Sequence, residues 1–75
     1  MAPTTVTNSI RRLRFEHGEM TQQDLAEKVG VTRQTVNAIE AGKYSPSLEV
    51  AFRMAEVFGA RVDEVFHYGT PAKRR

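Results

Sequence analysis

Apolar residues recur three or four positions apart through most of the 75-residue chain, which is the period of amphipathic helices. Short breaks rich in glycine and small polar residues separate these segments. Ser, Thr or Asn stands before several of them, as helix N-caps require, and glycine follows, as left-handed helix ends require. The pattern therefore predicts an all-α fold of five short helices and argues against a β-rich or α/β fold.

A capping residue marks the start of each of the first four predicted helices, whereas Arg61 stands where the fifth would have a Ser or Thr cap. The expected starts and ends are Thr7 or Asn8 to Gly18, Thr21 to Gly30, Thr32 to Gly42, a fourth helix from Ser45 or Ser47, and a short fifth helix that Asp63 and Glu64 open. The fourth helix is apolar around most of its circumference, so we expect it at the centre of the fold. The segment "VFHY" after the fifth helix is rich in residues that favour strands.

The second and third predicted helices are joined only by Gly30, Val31 and Thr32, a spacing that is typical of a helix-turn-helix. Such a tight turn holds the second helix of the pair at a steep angle to the first. The N-terminal end of that helix then projects from the surface and can enter the DNA major groove. Val36 and Ile39 are expected to face the core, which leaves the opposite side of the helix open.

Side chains that suit base recognition occupy this open side. Arg33, Gln34 and Asn37 follow the cap, and arginine donates two hydrogen bonds to guanine, whereas glutamine and asparagine pair with adenine. Thr35 and Ala38 can contact a thymine methyl group. We therefore predict that Arg33, Gln34, Asn37 and Thr35 contact bases.

Four further residues are predicted to contact phosphates. Gln22 lies at the start of the second helix, where free backbone N–H groups favour an anion. Thr32 caps the third helix, and Lys43 and Tyr44 follow its end. Each of these positions flanks the expected recognition helix.

Composition narrows the function classes. The formal charge is +2, but the tail residues Lys73, Arg74 and Arg75 supply +3, so net charge alone is weak evidence for a nucleic-acid partner. Cysteine is absent, and no catalytic Ser/His/Asp set, phosphate loop or metal-ligand spacing is present. No apolar run approaches the roughly 20 residues of a membrane span. We expect one domain, with an ordered core at about 7–68 and a basic tail at 69–75, acting in the cytoplasm on the nucleoid. It should be neither an enzyme nor a membrane protein, without cofactor, metal or small-molecule substrate.

The stretch "TQQDLAEKVGVTRQTVNAIEAGKYSPSLEVAFRMAEVFG" resembles the lambda-repressor and Cro-like family, also called the xenobiotic-response-element family. The resemblance spans about Ile10 to Phe66. It implies a five-helix DNA-binding domain whose base contacts come from Arg33, Gln34 and Asn37, sometimes also Ala38, and in which Gln22 contacts phosphate. It also implies a structural ion pair between Arg14 and Glu40. One departure is "HGEMTQ", which has one residue more than the usual turn before the second helix.

Compact members of the family, such as the cytolysin-operon repressor, are similar in length and in their β-prone ending. This similarity implies a two-stranded ribbon between residues near Thr5 to Thr7 and residues near Phe66 to Tyr68. It also implies a homodimer whose interface includes the fifth helix. Val62, Val65 and Phe66 are the interface residues that we predict on this basis.

The predicted function is that of a bacterial, homodimeric transcriptional repressor that binds double-stranded DNA at an inverted repeat. A dimer would place two recognition helices about one DNA turn apart, roughly 34–36 Å. Three alternatives share the fold: the controller protein of a restriction–modification operon, the antitoxin of a toxin–antitoxin pair, and an interaction module without DNA binding. Gene neighbourhood or a co-purifying toxin would separate the first two from a repressor.

Overall fold

The computed structural model describes residues 5–43 and 45–69. Over these residues the chain forms five short helices and one two-stranded antiparallel sheet. The elements in chain order are β1 (Val6–Asn8), α1 (Ile10–Glu16), α2 (Gln22–Val29), α3 (Arg33–Glu40), α4 (Leu48–Phe58), α5 (Val62–Val65) and β2 (Phe66–Tyr68). The predicted helical fold with a small ribbon is confirmed.

Local capping explains where most of the helices begin. The Thr21 hydroxyl accepts a hydrogen bond from the Asp24 N–H at 2.9 Å, and the Asp24 carboxylate accepts one from the Thr21 N–H at 3.2 Å. Ser47 caps α4 through the Val50 N–H at 3.2 Å. The reciprocal pair at Thr21 and the single bond at Ser47 satisfy N–H groups that have no partner inside a helix.

The start of α1 is arranged differently from the expectation. Ser9 occupies the N-cap position but its side chain makes no capping bond. The Asn8 side-chain oxygen instead accepts a hydrogen bond from the Ile10 N–H at 3.1 Å. Thr7, the other expected cap, lies in β1. Thr7 and Asn8, where the sequence predicted the helix start, are therefore paired in the ribbon, and the helix begins two residues later at Ile10.

The ribbon joins the two ends of the described chain. Its register pairs Val6 with Tyr68, Thr7 with His67 and Asn8 with Phe66. The Ser9 hydroxyl also lies 3.0 Å from His67 Nε2. The pairing implied by the family resemblance is present, one residue further along β1 than expected.

Every helix contributes to one apolar core. Its members are Ile10, Leu13, Leu25, Ala26, Val29, Val36, Ile39, Met54, Ala55, Phe58 and Val65. In α4, however, Leu48 is 71% exposed and Phe52 is 56% exposed. We expected this largely apolar helix at the centre of the fold, and that expectation is wrong because one of its apolar sides is not covered by other elements. One stripe of α4 packs inward and another faces solvent.

Val65 corrects a second expectation. It was predicted in a dimer interface, but its exposure is 0% and it belongs to the core of its own chain. A side chain without accessible surface has nothing to offer a partner. Val62 and Phe66 are only partly buried against this core.

The additional residue of "HGEMTQ" is absorbed by an unusual turn between α1 and α2. Gly18 and Glu19 both adopt left-handed backbone angles, with φ of 78° and 56°. Glycine takes this conformation at no steric cost, whereas glutamate does so at some strain. Two successive left-handed residues turn the chain sharply, so α2 can still begin beside α1.

Candidate nucleic-acid interface

The turn between α2 and α3 is set by one glycine and one arginine. Gly30 has a φ of 80° and ends α2, and its N–H donates to the Ala26 carbonyl at 2.8 Å. A Cβ atom at this position would lie 3.2 Å from Arg53 Nη1, and that nitrogen donates to the Val29 carbonyl at 3.1 Å. The turn is therefore tied to α4, and a larger residue at Gly30 would strain the left-handed backbone and displace the end of the Arg53 side chain.

Helix α3 presents its N-terminal half to solvent, as predicted. Thr32 caps it through the Thr35 N–H at 3.1 Å, and Val36 and Ile39 are buried. Arg33 and Gln34 are exposed. Their side chains form no ion pair or hydrogen bond within residues 5–43 and 45–69. The donors that recognise guanine and adenine are therefore available.

The Thr35 hydroxyl is engaged within the start of α3. It is half-buried, and its hydroxyl lies 3.0 Å from the hydroxyl of Thr32. Since the Thr32 oxygen also caps the helix, these two hydroxyl groups are largely occupied with each other. The predicted base contact of Thr35 therefore falls to its methyl group.

Behind α3 lies the ion pair that the resemblance implied. Arg14 Nε donates to Glu40 Oε2 at 2.9 Å and Arg14 Nη2 donates to Glu40 Oε1 at 3.1 Å. The two side chains are 16% and 12% exposed. Arg14 Nη1 also donates to the Met20 carbonyl at 2.8 Å. Arg14 thus holds α1, the turn before α2 and α3 together.

The ion pair extends into a chain of hydrogen bonds that reaches the recognition surface. Gln22 Nε2 donates to Glu40 Oε1 at 2.7 Å. Because a carboxylate only accepts hydrogen bonds, Gln22 must direct its NH₂ group inward and its oxygen outward. That oxygen accepts a hydrogen bond from Asn37 Nδ2 at 3.3 Å. We name this series, Arg14–Glu40–Gln22–Asn37, the polar chain.

The polar chain gives Gln22 a role that sequence reasoning missed. Gln22 was predicted to contact phosphate at the start of α2, and it remains half-buried there. In the structure its outward oxygen accepts a hydrogen bond from Asn37, one of the predicted base contacts. An acceptor in this position does not suit a phosphate, so a phosphate contact at Gln22 is left to the free backbone N–H groups at the start of α2. No sequence signal marks this pair, because 15 positions separate the residues. Only the crossing of α2 and α3 brings them together.

Of the two residues predicted to contact phosphate after α3, Lys43 is exposed. Its backbone N–H donates to the Ala38 carbonyl at 3.0 Å, which closes the end of the helix. Its ammonium group has no carboxylate partner in the described part of the chain. Tyr44 lies outside the described residues, as does almost all of the basic tail.

A groove runs beside the polar chain between α1 and α3. It has a volume of about 740 Å³. We name it the α1 groove, and its lining residues are Asn8, Ser9, Arg11, Arg12, Phe15, Gln22, Asn37, Glu40 and Ala41. Gln22 and Asn37, which belong to the polar chain, therefore form part of its wall.

Residues 5–43 and 45–69 contain neither a candidate metal site nor a membrane-spanning helix. No group of three or more His, Asp or Glu side chains there is placed to hold a metal ion. The ring nitrogens of His17 lie 2.8 and 3.1 Å from the carbonyl oxygens of Leu13 and Phe58, so this residue joins α1 to α4. None of the helices in that part of the chain has the length and apolarity needed to cross a membrane.

Comparison with known proteins agrees with this geometry. The model of the lambda-repressor and Cro-like helix-turn-helix family matches residues 10–65. The chain is 49% identical over 61 residues to an HTH-type transcriptional regulator of Methanocaldococcus jannaschii, covering 81% of this chain and 91% of that protein. It is 34% identical over 59 residues to the cryptic phage CTXphi transcriptional repressor RstR of Vibrio cholerae, covering 79% and 52% respectively.

A solved structure supports the fold independently. The crystal structure of a protein from Bacteroides fragilis superposes with a TM-score of 0.70 at 22% identity, covering 83% of this chain and 98% of that one. At this identity the likeness concerns the fold alone. The family match spans the helix-turn-helix, its polar chain and the helices that support both. The chain therefore belongs to the lambda-repressor and Cro-like helix-turn-helix family of DNA-binding transcriptional regulators.

Proposed function

We propose that the protein is a homodimeric repressor that binds an inverted-repeat operator through the major groove. The main support for this proposal is the hydrogen bonding of the side chains that α3 exposes. Arg33 and Gln34 have no side-chain partner among the described residues, whereas Asn37 is already oriented by Gln22. Unpaired donors beside an oriented amide are what a base-contacting helix requires. The relative RstR, which is named a transcriptional repressor, supports the direction of regulation.

The proposed dimer surface lies on the exposed stripe of α4 and the start of α5. A groove of about 680 Å³ separates the two helices, lined by Phe52, Ala55, Glu56, Ala60, Arg61, Val62 and Asp63. Leu48, one helical turn from Phe52, extends the apolar surface and is 71% exposed. Val62 remains in the proposed interface, and Val65 does not.

A second copy of the chain fits this surface because the surface carries charges of both signs. Arg61 is 79% exposed and bonded to Asp63, and the carboxylate of Glu56 has no cation partner within the described ranges. Across a twofold axis the same patch meets itself, so Arg61 of one copy can face Glu56 of the other. Exposed aromatic and aliphatic side chains between such charges are typical of association surfaces.

The first experiment is selection of binding sites from random duplex DNA by the full chain. Recovered sites are then titrated at several salt concentrations. We expect an inverted repeat with half-site centres about one DNA turn apart, roughly 34–36 Å. Weak binding without an enriched motif would contradict the proposal. Loss of transcription from a reporter promoter that carries the recovered site would establish repression.

Replacing Arg33 with alanine tests base recognition directly. We expect the variant to lose about 1–3 kcal/mol of discrimination at one base pair of each half-site. Competition between the selected operator and its single-base variants measures this loss. If Arg33→Ala weakened binding to all sequences equally, the residue would contact phosphate and not a base.

Replacing Lys43 with alanine tests backbone binding, and Lys28→Ala is its matched control. Both lysines are exposed, but Lys28 lies near the end of α2, beside a separate pocket lined by residues that include His17, Asp24 and Glu27. Removal of a phosphate contact lowers the slope of log affinity against log salt by about one. We expect this change for Lys43→Ala and not for Lys28→Ala. Equal slopes for the two variants would remove Lys43 from the proposed contacts.

A further inference from the structure

We propose that the α1 groove holds the sugar–phosphate backbone of the DNA, with Arg11 contacting a phosphate and Phe15 packing against a deoxyribose. This inference rests on the proposed DNA-binding function and extends it to α1, which lies outside the helix-turn-helix. It assigns DNA contacts to two residues that carry none so far.

The α1 groove lies directly beside α3. Gln22 and Asn37 belong both to the polar chain and to the wall of the α1 groove. The groove therefore opens onto the flank of the same helix whose exposed end is proposed to contact bases. A DNA strand adjacent to that helix would pass along the mouth of the groove.

All but one of the polar side chains that line the groove already have a hydrogen-bond or ion-pair partner. The Asn8 amide donates to the Ile39 carbonyl at 3.0 Å, and the Ser9 hydroxyl is 3.0 Å from His67. Arg12 is paired with Glu16 at 3.1 Å. Arg11 is the one polar side chain of this lining without a partner among the described residues.

The charge inside the groove is positive. Glu40 is the carboxylate in the groove lining, and Arg14 neutralises it through two hydrogen bonds. No carboxylate among the described residues pairs with the Arg11 guanidinium, and an exposed arginine of this kind suits a phosphate. A peptide partner would need unpaired backbone-binding donors and acceptors in the groove, and the paired state of Asn8, Ser9 and Gln22 leaves few. A nucleic-acid backbone needs only the cation and an apolar surface.

Phe15 supplies that apolar surface. It is 68% exposed and lies four residues after Arg11, so the two side chains share one face of α1. Sugar faces along a DNA backbone alternate with charged phosphates. A cation next to an exposed aromatic ring matches that alternation.

The test uses the full-length chain and a duplex that carries the selected operator, with affinity measured by fluorescence anisotropy. Arg11→Ala is compared with Arg12→Ala, which removes the same charge from the neighbouring position where it is already paired. For one lost phosphate contact the salt slope falls by about 0.9, so the loss of affinity is about 3.5 times larger at 50 mM than at 200 mM salt. We expect this behaviour for Arg11→Ala, and a smaller change of slope for Arg12→Ala.

Phe15→Ala provides a second and independent measurement. It should weaken binding several-fold without altering the salt slope, because no charge is removed. Thermal unfolding of Phe15→Ala should match that of the original chain, since the ring is mostly exposed. An unchanged affinity in Phe15→Ala would overturn the proposed sugar contact.

Neutral methylphosphonate groups placed one at a time along the operator then identify the phosphate. At one position, neutralisation should weaken binding of the original chain and leave the affinity of Arg11→Ala unchanged. Equal sensitivity of both proteins at every position, together with equal salt slopes for Arg11→Ala and Arg12→Ala, would overturn the Arg11 contact and favour a protein partner for the groove. An original chain that binds no duplex would overturn the proposed function as well.

Discussion

Replacing Glu40 with leucine is expected to lower the free energy of unfolding by about 3 kcal/mol, because it leaves the partly buried Arg14 guanidinium without a counter-charge. Arg14 is only 16% exposed, so water replaces the lost carboxylate poorly. Gln22 loses its acceptor in the same step. Small domains have little stability to spare, and the melting temperature should fall by more than about 10 °C. Urea and thermal unfolding followed by circular dichroism measure both quantities.

The double substitution Arg14→Met with Glu40→Leu is the control for this prediction. Replacing both ions by apolar side chains of similar volume removes the uncompensated charge, and such exchanges are often neutral for stability. We expect most of the lost stability to return. Operator affinity should remain reduced, because Gln22 no longer has a carboxylate to hold it and Asn37 loses its orientation. If Glu40→Leu alone were as stable as the original chain, the ion pair would not have the structural role assigned to it.

Replacing Phe52 with glutamine is expected to convert the proposed dimer to a monomer and to reduce affinity for the two-half-site operator by about 100-fold or more. Two linked recognition helices bind one operator far more tightly than one helix binds a half-site. The substitution removes apolar surface from the proposed interface and leaves the net charge unchanged. Sedimentation velocity measures the oligomeric state, and anisotropy titration measures the affinity.

Two controls separate this effect from damage to the fold or to the recognition surface. Phe52→Leu keeps an apolar side chain and should remain a dimer. Binding of Phe52→Gln to a duplex with one half-site should equal that of the original chain, because α3 is untouched. A fully dimeric Phe52→Gln variant would exclude the α4–α5 surface as the interface.

Most of the local architecture was predictable because it depends on near neighbours in the sequence. The Thr21–Asp24 capping box, the Thr32 and Ser47 caps and the left-handed Gly30 all involve groups within a few residues of each other. The alternation of buried Val36 and Ile39 with exposed Arg33 follows from the helical period alone. Together these features were sufficient to identify a helix-turn-helix and the side of α3 that faces solvent.

Long-range packing decided the remainder. Whether an apolar side chain is buried depends on what covers it, and the periodicity of α4 does not reveal that Phe52 is left uncovered while Met54 is enclosed. Val65 is likewise covered by its own chain and cannot contact a second copy. The ribbon register and the contact between Gln22 and Asn37 each join segments distant in the sequence.

Local backbone preferences and helical periodicity were enough to predict the helices, the caps of α2, α3 and α4, and the side chains that α3 exposes. Which of these side chains are oriented and which are free depends on how the helices pack against each other. Asn37 is held through Gln22 and Glu40 by Arg14 on another helix, whereas Arg11 and Arg33 remain unpaired within the described residues. The difference arises because hydrogen bonds between side chains need the crossing of helices to bring donor and acceptor within about 3 Å.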